Sequence, residues 1–331
     1  MWYRPSQLLP LAALLPLVMA LAACGGRLAR PLLPVSAYEK MIVGRVDAQY
    51  VGTDNCVSRC HSHDKIADDF KHSVHGEQIK ADTGLPLVNC ESCHGPGSLA
   101  IAKLEEGTVT GRRARCDSST LLDLKTLPAQ AQSLICLRCH SSASTPSLAH
   151  WPGSVHALHD VSCFSCHRLH DGPQQKVNHE QMAELCYRCH PEVRTQFNLF
   201  SHHPVREKKM DCFDCHNPHG STQPNLLKGV TVRDTCTRCH MDKSGPFIFE
   251  HGDVTENCTT CHSPHGSVTR RLLNTTMPYL CLQCHTSAHQ PRIMSGDPRE
   301  MAVFARRCTD CHTMIHGSDT PDRQGYGTLR R

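Results

Sequence analysis

The sequence predicts an elongated, mostly irregular array of short α-helices with little or no β-sheet. Three observations predict it. Of the 22 cysteines in 331 residues, 20 fall into ten close pairs, each followed directly by histidine. Aromatic residues are only 5% and charged residues 20%, which leaves little with which to build an ordinary apolar core. The 21 prolines and 21 glycines supply loops, and no alternating strand pattern of any length is present.

Nine pairs are CxxCH: Cys90/Cys93/His94, Cys136/Cys139/His140, Cys163/Cys166/His167, Cys186/Cys189/His190, Cys212/Cys215/His216, Cys236/Cys239/His240, Cys258/Cys261/His262, Cys281/Cys284/His285 and Cys308/Cys311/His312. The tenth is CxxxCH, with Cys56, Cys60 and His61. Two thiols about one helical turn apart can reach both vinyl groups along one porphyrin edge, and the next residue presents an imidazole to the iron. Zinc knuckles and disulfides also use cysteine pairs, but neither needs histidine at that place. With 25 histidines in the chain, chance would put one there in all ten pairs with a probability on the order of 10⁻¹¹. The sequence therefore predicts a multihaem cytochrome c with ten covalently attached haems. At CxxxCH the extra residue must bulge between the thioethers.

About 31 residues then serve each haem once a leader is removed, so the porphyrins must form the core and lie close together. The formal charge of +4, which is +3 once the leader carrying Arg4 is removed, becomes roughly −7 oxidised and −17 reduced when ten haems with their propionates are counted, which removes any case for nucleic-acid binding. The clusters "GRRARC" and "REKK" read as solvated loops or propionate partners.

Residues 1–23 read as a secretory signal: Arg4, an apolar stretch from Leu8, then Leu21-Ala22-Ala23. The following Cys24 makes this resemble a bacterial lipoprotein box, with Cys24 diacylated; an ordinary cleavage site is the alternative. Gly25 after it suggests sorting to the outer membrane. Residues 24–50 form a tether of roughly 29 Å r.m.s. span. Cys116 is left over as a free, partly buried thiol, or as a disulfide partner of Cys24.

From Cys56 onward the motifs are spaced 34, 46, 27, 23, 26, 24, 22, 23 and 27 residues apart. "CFSCHRLHD", "CFDCHNPHG" and "CTTCHSPHG" open a two-haem repeat at 163, 212 and 258. Short helices are expected at "HEQMAEL" and "PEVRTQFNLF". Five haems fall to each half, residues 51–207 and 208–331.

Position selects the second axial ligands. His170, His219 and His265 lie three residues after a motif histidine, and His156 and His251 lie seven before the next motif. His75, His202, His289 and His316 join them by similar placement. The tenth is His72, with His63 and His150 behind it. His159, His179 and His203 are left as surface. Bis-histidine ligation leaves no vacant iron position, so the chain reads as a low-potential electron conductor with no catalytic residues.

The segments "SHHP", "CFDCHNPHGS", "DTCTRCH", "EHGDVTENCTTCHSPHGS", "LCLQCH" and "CTDCHTMIHGS" make the chain resemble the MtrA/DmsE-type decahaem cytochromes from about residue 52 onward. That resemblance implies a ten-haem, bis-histidine wire sheathed by an outer-membrane β-barrel porin. Its partners would be periplasmic cytochromes or a quinol-linked donor inside, and an extracellular multihaem cytochrome or terminal reductase outside. Outward flow would serve metal, mineral or dimethyl sulfoxide reduction, and inward flow iron(II) oxidation. Three departures stand out: the CxxxCH motif, "SLAIA" after "CHGPG" where relatives place a histidine, and the lipoprotein box. Alternatives are a lipid-anchored periplasmic relay without a barrel and a reductase with one open haem.

Overall fold

The computed structural model describes residues 47–78, 81–82, 87–102, 104, 116–141, 143–170, 179–286, 298, 306–322 and 329–330. The signal segment, Cys24, most of the tether and His289 lie outside them, as does the His179 side chain. The fold is the irregular, multihaem type expected, with short helices and, among the described residues, no strand beyond isolated bridges. No helix among them is long and apolar enough to cross a membrane.

The chain forms two compact units. One comprises the residues up to Ser62 with Asn89–Leu127, and carries the first two motifs; the other comprises His63–Val88 and Pro128–Arg331, and carries the remaining eight. In the first, α1 (Thr53–Arg59) holds Cys56, and α2 (Cys90–His94) is the second motif itself. In the second unit, four motif cysteines sit in α3 (Ala129–Leu137), α4 (His179–Tyr187), α5 (Val232–Thr237) and α6 (Tyr279–Leu282).

The motifs alternate between two settings. Cys136, Cys186, Cys236 and Cys281 lie in these helices, toward the end of the run. Cys163, Cys212, Cys258 and Cys308 instead open a single 3₁₀ turn. Cys90 opens a turn too, that of α2. The polar residue before the cysteine caps several of these turns: Asn89, Asp211 and Asn257 accept from Ser92 N–H at 2.9 Å, Phe213 N–H at 2.7 Å and Thr259 N–H at 3.1 Å. In both settings the motif closes the same way. From His140 to His312 the motif histidine's N–H donates to the first cysteine's carbonyl at 2.8 to 3.1 Å.

After two of the turns the chain folds back at a spacing of 46 residues: His216 bridges Leu227, and His262 bridges Leu273. Asn225/Leu226 and Arg271/Leu272 make these returns at positive φ, near 60°.

Side chains alone supply little core. The buried apolar residues among those described are few and scattered, including Ile101, Ile135, Trp151, Phe197 and Leu280, and no large side chain falls below 2% exposure. Val74 and Val155, each just before a histidine, are about half exposed.

Glu91 organises the first unit. It is 3% exposed, and its carboxylate accepts from the N–H groups of Val51 at 2.9 Å, Gly52 at 2.8 Å and Gly97 at 2.8 Å. It thereby pins the lead into α1 against the second motif. Glu91→Ala orphans three donors and is expected to destabilise this unit by about 3 kcal/mol, with Glu91→Gln intermediate. Amide exchange at Val51, Gly52 and Gly97 in the haem-loaded chain reads this directly; unchanged protection in the alanine variant would refute it.

Candidate haem sites

Histidine pairs define the sites. Among the described residues seven motif histidines face a second histidine, with ring centroids apart by 5.9 Å (His140 with His75), 6.1 Å (His167 with His219) and 6.3 Å (His190 with His156). The others are His216 with His265 at 6.0 Å, His240 with His203 at 6.2 Å, His262 with His316 at 6.3 Å and His285 with His251 at 6.0 Å.

The separations are nearly constant while the interplanar angles run from 17° to 64°. Direct ring packing would tie distance to angle. Two imidazoles turning about a shared metal axis keep their distance at any angle, and two metal–nitrogen bonds of about 2 Å plus the ring radii span about 6.2 Å. These pairs therefore fit an iron between them. Among the described residues no three His, Cys, Asp or Glu side chains converge as a structural zinc site would require.

Hydrogen bonds select the nitrogen that faces the gap. His156 Nδ1–H donates to the Pro218 carbonyl at 2.9 Å, His203 to Pro264 at 2.6 Å, His216 to Asn225 at 2.7 Å and His262 to Arg271 at 2.8 Å. His265 donates to Gln196 Oε1 at 3.0 Å, and His251 bonds the Ile315 backbone. A carbonyl can only accept, so Nδ1 carries the proton and Nε2 is left with its lone pair. Burial holds His75, His167, His219, His251, His265 and His316 below the ordinary histidine pKa, which favours the neutral, metal-binding ring.

Close packing places the second ring. Trp151 and Phe197, both buried, lie 6.4 Å from His219 and 5.4 Å from His265. The glycine after each is a tight approach: a Cβ on Gly220 or Gly266 would strike the backbone carbonyl of His150 or Gln196.

His202, expected as a ligand, is not the one brought to a motif histidine. Its Nδ1 is bonded to the Leu199 carbonyl at 2.7 Å and its Nε2 to Glu207 at 3.1 Å, so neither nitrogen is left for iron. The Glu207 hydrogen bond raises its pKa, the opposite of what ligation needs. His203, expected at the surface, faces His240 instead. An even repeat would have found it, since His203 stands 47 residues after His156 and 48 before His251.

Cys60, expected to hold a thioether, is joined to Cys116 in a disulfide, so Cys116 is not the free thiol expected. A sulfur in a disulfide has no S–H to add across a vinyl group. His72, half exposed, bonds Asp68 O in its own helical turn at 2.8 Å. The partners of His61, His94 and His312, and the role of His170, belong to the proposal below.

The cysteines of neighbouring motifs also meet. Hydrogen bonds join first cysteines in five pairs: Cys56 with Cys90, Cys136 with Cys163, Cys186 with Cys212, Cys236 with Cys258 and Cys281 with Cys308. In four of these pairs the contact lowers one thiol: Cys90 and Cys163 to about 6, Cys258 to about 7, and Cys212. Second cysteines interact electrostatically in the intervening pairs, Cys166 with Cys189, Cys215 with Cys239 and Cys261 with Cys284.

Cys93, Cys139 and Cys311 are also expected to hold thioethers. Each stands as a thiol outside any disulfide, half-buried at Cys93 and exposed at Cys139 and Cys311. Cys139 and Cys311 belong to the first and last motifs of the eight-motif unit, and Cys93 to the second motif of the other unit. Each keeps the S–H that Cys60 lacks, and their thioethers belong to the proposal below.

Residues 156–195, 202–245 and 251–290 each match the family model of the doubled CXXCH motif. Over 280 residues the chain is 36% identical to the multihaem cytochrome MtrA of Shewanella baltica (strain OS185), which covers 82% of this chain and 79% of that protein. The chain belongs to the MtrA family of multihaem cytochromes. As an MtrA-type cytochrome it binds haem c through its CXXCH motifs and serves electron transport.

In this MtrA-type chain each matched module begins at or beside a ligand-like histidine, His156, His203 or His251. That histidine faces the module's second motif histidine and is oriented by a carbonyl from beyond the module's end. The module's first motif histidine faces a ring from beyond it as well. His203→Ala is expected to convert one haem equivalent to the high-spin ferric form by electron paramagnetic resonance, while His202→Ala leaves the spectrum unchanged. Gly266→Ala should produce a high-spin signal although it removes no nitrogen, because the added methyl group must push His265 away from His216. Equal spectra for the two histidine variants would count against the assignment.

Proposed function

We propose that the chain is a decahaem conductor that carries electrons across an outer membrane inside a β-barrel porin. It would link periplasmic cytochromes or a quinol-linked donor to an extracellular multihaem cytochrome or terminal reductase. The observation that carries this is the interleaving of two joints, sulfur contacts and shared histidine modules, from the third motif to the tenth. A thioether sulfur is two bonds from the porphyrin ring, through the former vinyl carbon, so sulfurs in contact support adjacent edges.

Haem bound at these positions supplies an iron(III)/iron(II) couple at each. The facing imidazoles would hold the group from both sides, which would keep substrates off and support electron transfer rather than catalysis. Both cysteines of every CxxCH motif hold thioethers, Cys93, Cys139 and Cys311 included. The second ligands proposed are His75, His156, His203, His219, His251, His265 and His316, with His170, His289 and His72 for the three remaining sites. The haems divide into two groups of five near residue 207. The porin and the partners on either side come from the family resemblance, as does passage through the bilayer. Residues 1–23 are a signal segment, Cys24 a lipid anchor and residues 24–50 its tether.

The test is mild-detergent extraction of outer membranes, with the cytochrome followed by its haem absorbance. A β-barrel protein should accompany it in stoichiometric amount; a cytochrome that emerges alone would overturn the sheath. The oxidised protein should show only low-spin ferric haem, and a high-spin signal from one haem would overturn full bis-histidine ligation.

A further inference from the structure

The first motif keeps one part of the common design and abandons another. Cys60 and His61 both donate their N–H to the Cys56 carbonyl at 3.0 Å. In the other motifs the same two bonds span one residue fewer, so the extra residue is taken up as a widened, π-like turn. His61 and Cys56 thus keep their usual relation, and Cys56 meets Cys90 as first cysteines meet in the other pairs.

Cys60 does not keep its place. One added residue turns the second sulfur by about 100° around the helix axis relative to the usual third position. It points to Cys116, with the two Cα atoms 6.1 Å apart and the sulfurs joined. Cys116 is held there independently. Asp117 N–H donates to Ala100 O at 2.9 Å, and Leu122 N–H donates to His94 O at 2.9 Å while the Leu122 carbonyl accepts from His94 Nδ1 at 3.0 Å. The segment carrying Cys116 is therefore already fastened to the second motif.

We propose that the first haem is attached through a single thioether, from Cys56, with His61 as its axial ligand, while Cys60 stays in a structural disulfide with Cys116. This rests on the haem reading above. In the attachment step the Cys56 S–H adds across one vinyl group: the sulfur bonds one carbon, the hydrogen goes to the other, and the second vinyl stays unsaturated. No net electron transfer is needed. The disulfide forms by exchange with a disulfide-bearing thiol oxidant, which takes up the two electrons and two protons released by Cys60 and Cys116. The bond then locks the first motif onto the segment that fixes the second, a task otherwise left to a second thioether.

Trypsin tests this, because Arg59 lies between the two cysteines. The loaded protein is unfolded in acid, alkylated without reduction, digested and mapped by mass. Expected are Val46–Arg59 carrying a haem, and Cys60–Lys65 joined to Cys116–Lys125 and released only by reductant. Cys56→Ser should lose one covalent haem entirely. A haem bridging Val46–Arg59 to Cys60–Lys65, with Cys116 alkylated, would overturn the proposal, as would retention of ten covalent haems in Cys56→Ser or a first site with no haem. Haem on the nine CxxCH peptides reports separately on the broader reading, so the two can fail independently.

Discussion

The structure depends on one hydrogen bond made repeatedly, from a histidine Nδ1–H to a carbonyl oxygen. It fixes the tautomer, aims Nε2 and, because the carbonyl is often far away in sequence, fastens one module to another. His156 reaches Pro218 and His203 reaches Pro264 across 62 and 61 residues. The proline and histidine of "NPHG" and "SPHG" therefore do different work: the proline's carbonyl orients one imidazole, and the next residue presents another to a different site.

This arrangement suits a chain with so little core. Each such bond contributes about 1 kcal/mol, far too little to order hundreds of residues against their conformational entropy. What the bonds provide is direction, and under the proposed ligation bonds to metal would provide the larger stabilisation. The scattered buried residues, Trp151 behind His219 and Phe197 behind His265 among them, place rings rather than form a continuous interior.

Much of this was legible in the sequence because it is covalent or periodic. The motif order named the cofactor, and spacing singled out His156, His219, His251 and His265, which the structure sets opposite motif histidines. The choice between His202 and His203 was not legible, because adjacent residues share a spacing and only Glu207 and the Leu199 carbonyl tell them apart. Nor was the partner of Cys60, since a link across 56 residues depends on the fastening of residues 116–122 to the second motif. The carbonyl acceptors were invisible as well: a backbone oxygen leaves no mark in side-chain sequence.

The shared modules also impose an order in time. His167 is synthesised 52 residues ahead of His219, and His216 is 49 ahead of His265. A chain that emerges N-terminus first therefore exposes each module's leading motif well before its opposing ring exists. Attachment through the cysteines would therefore precede the meeting of the two rings, so each leading motif depends for its second ring on a module made later.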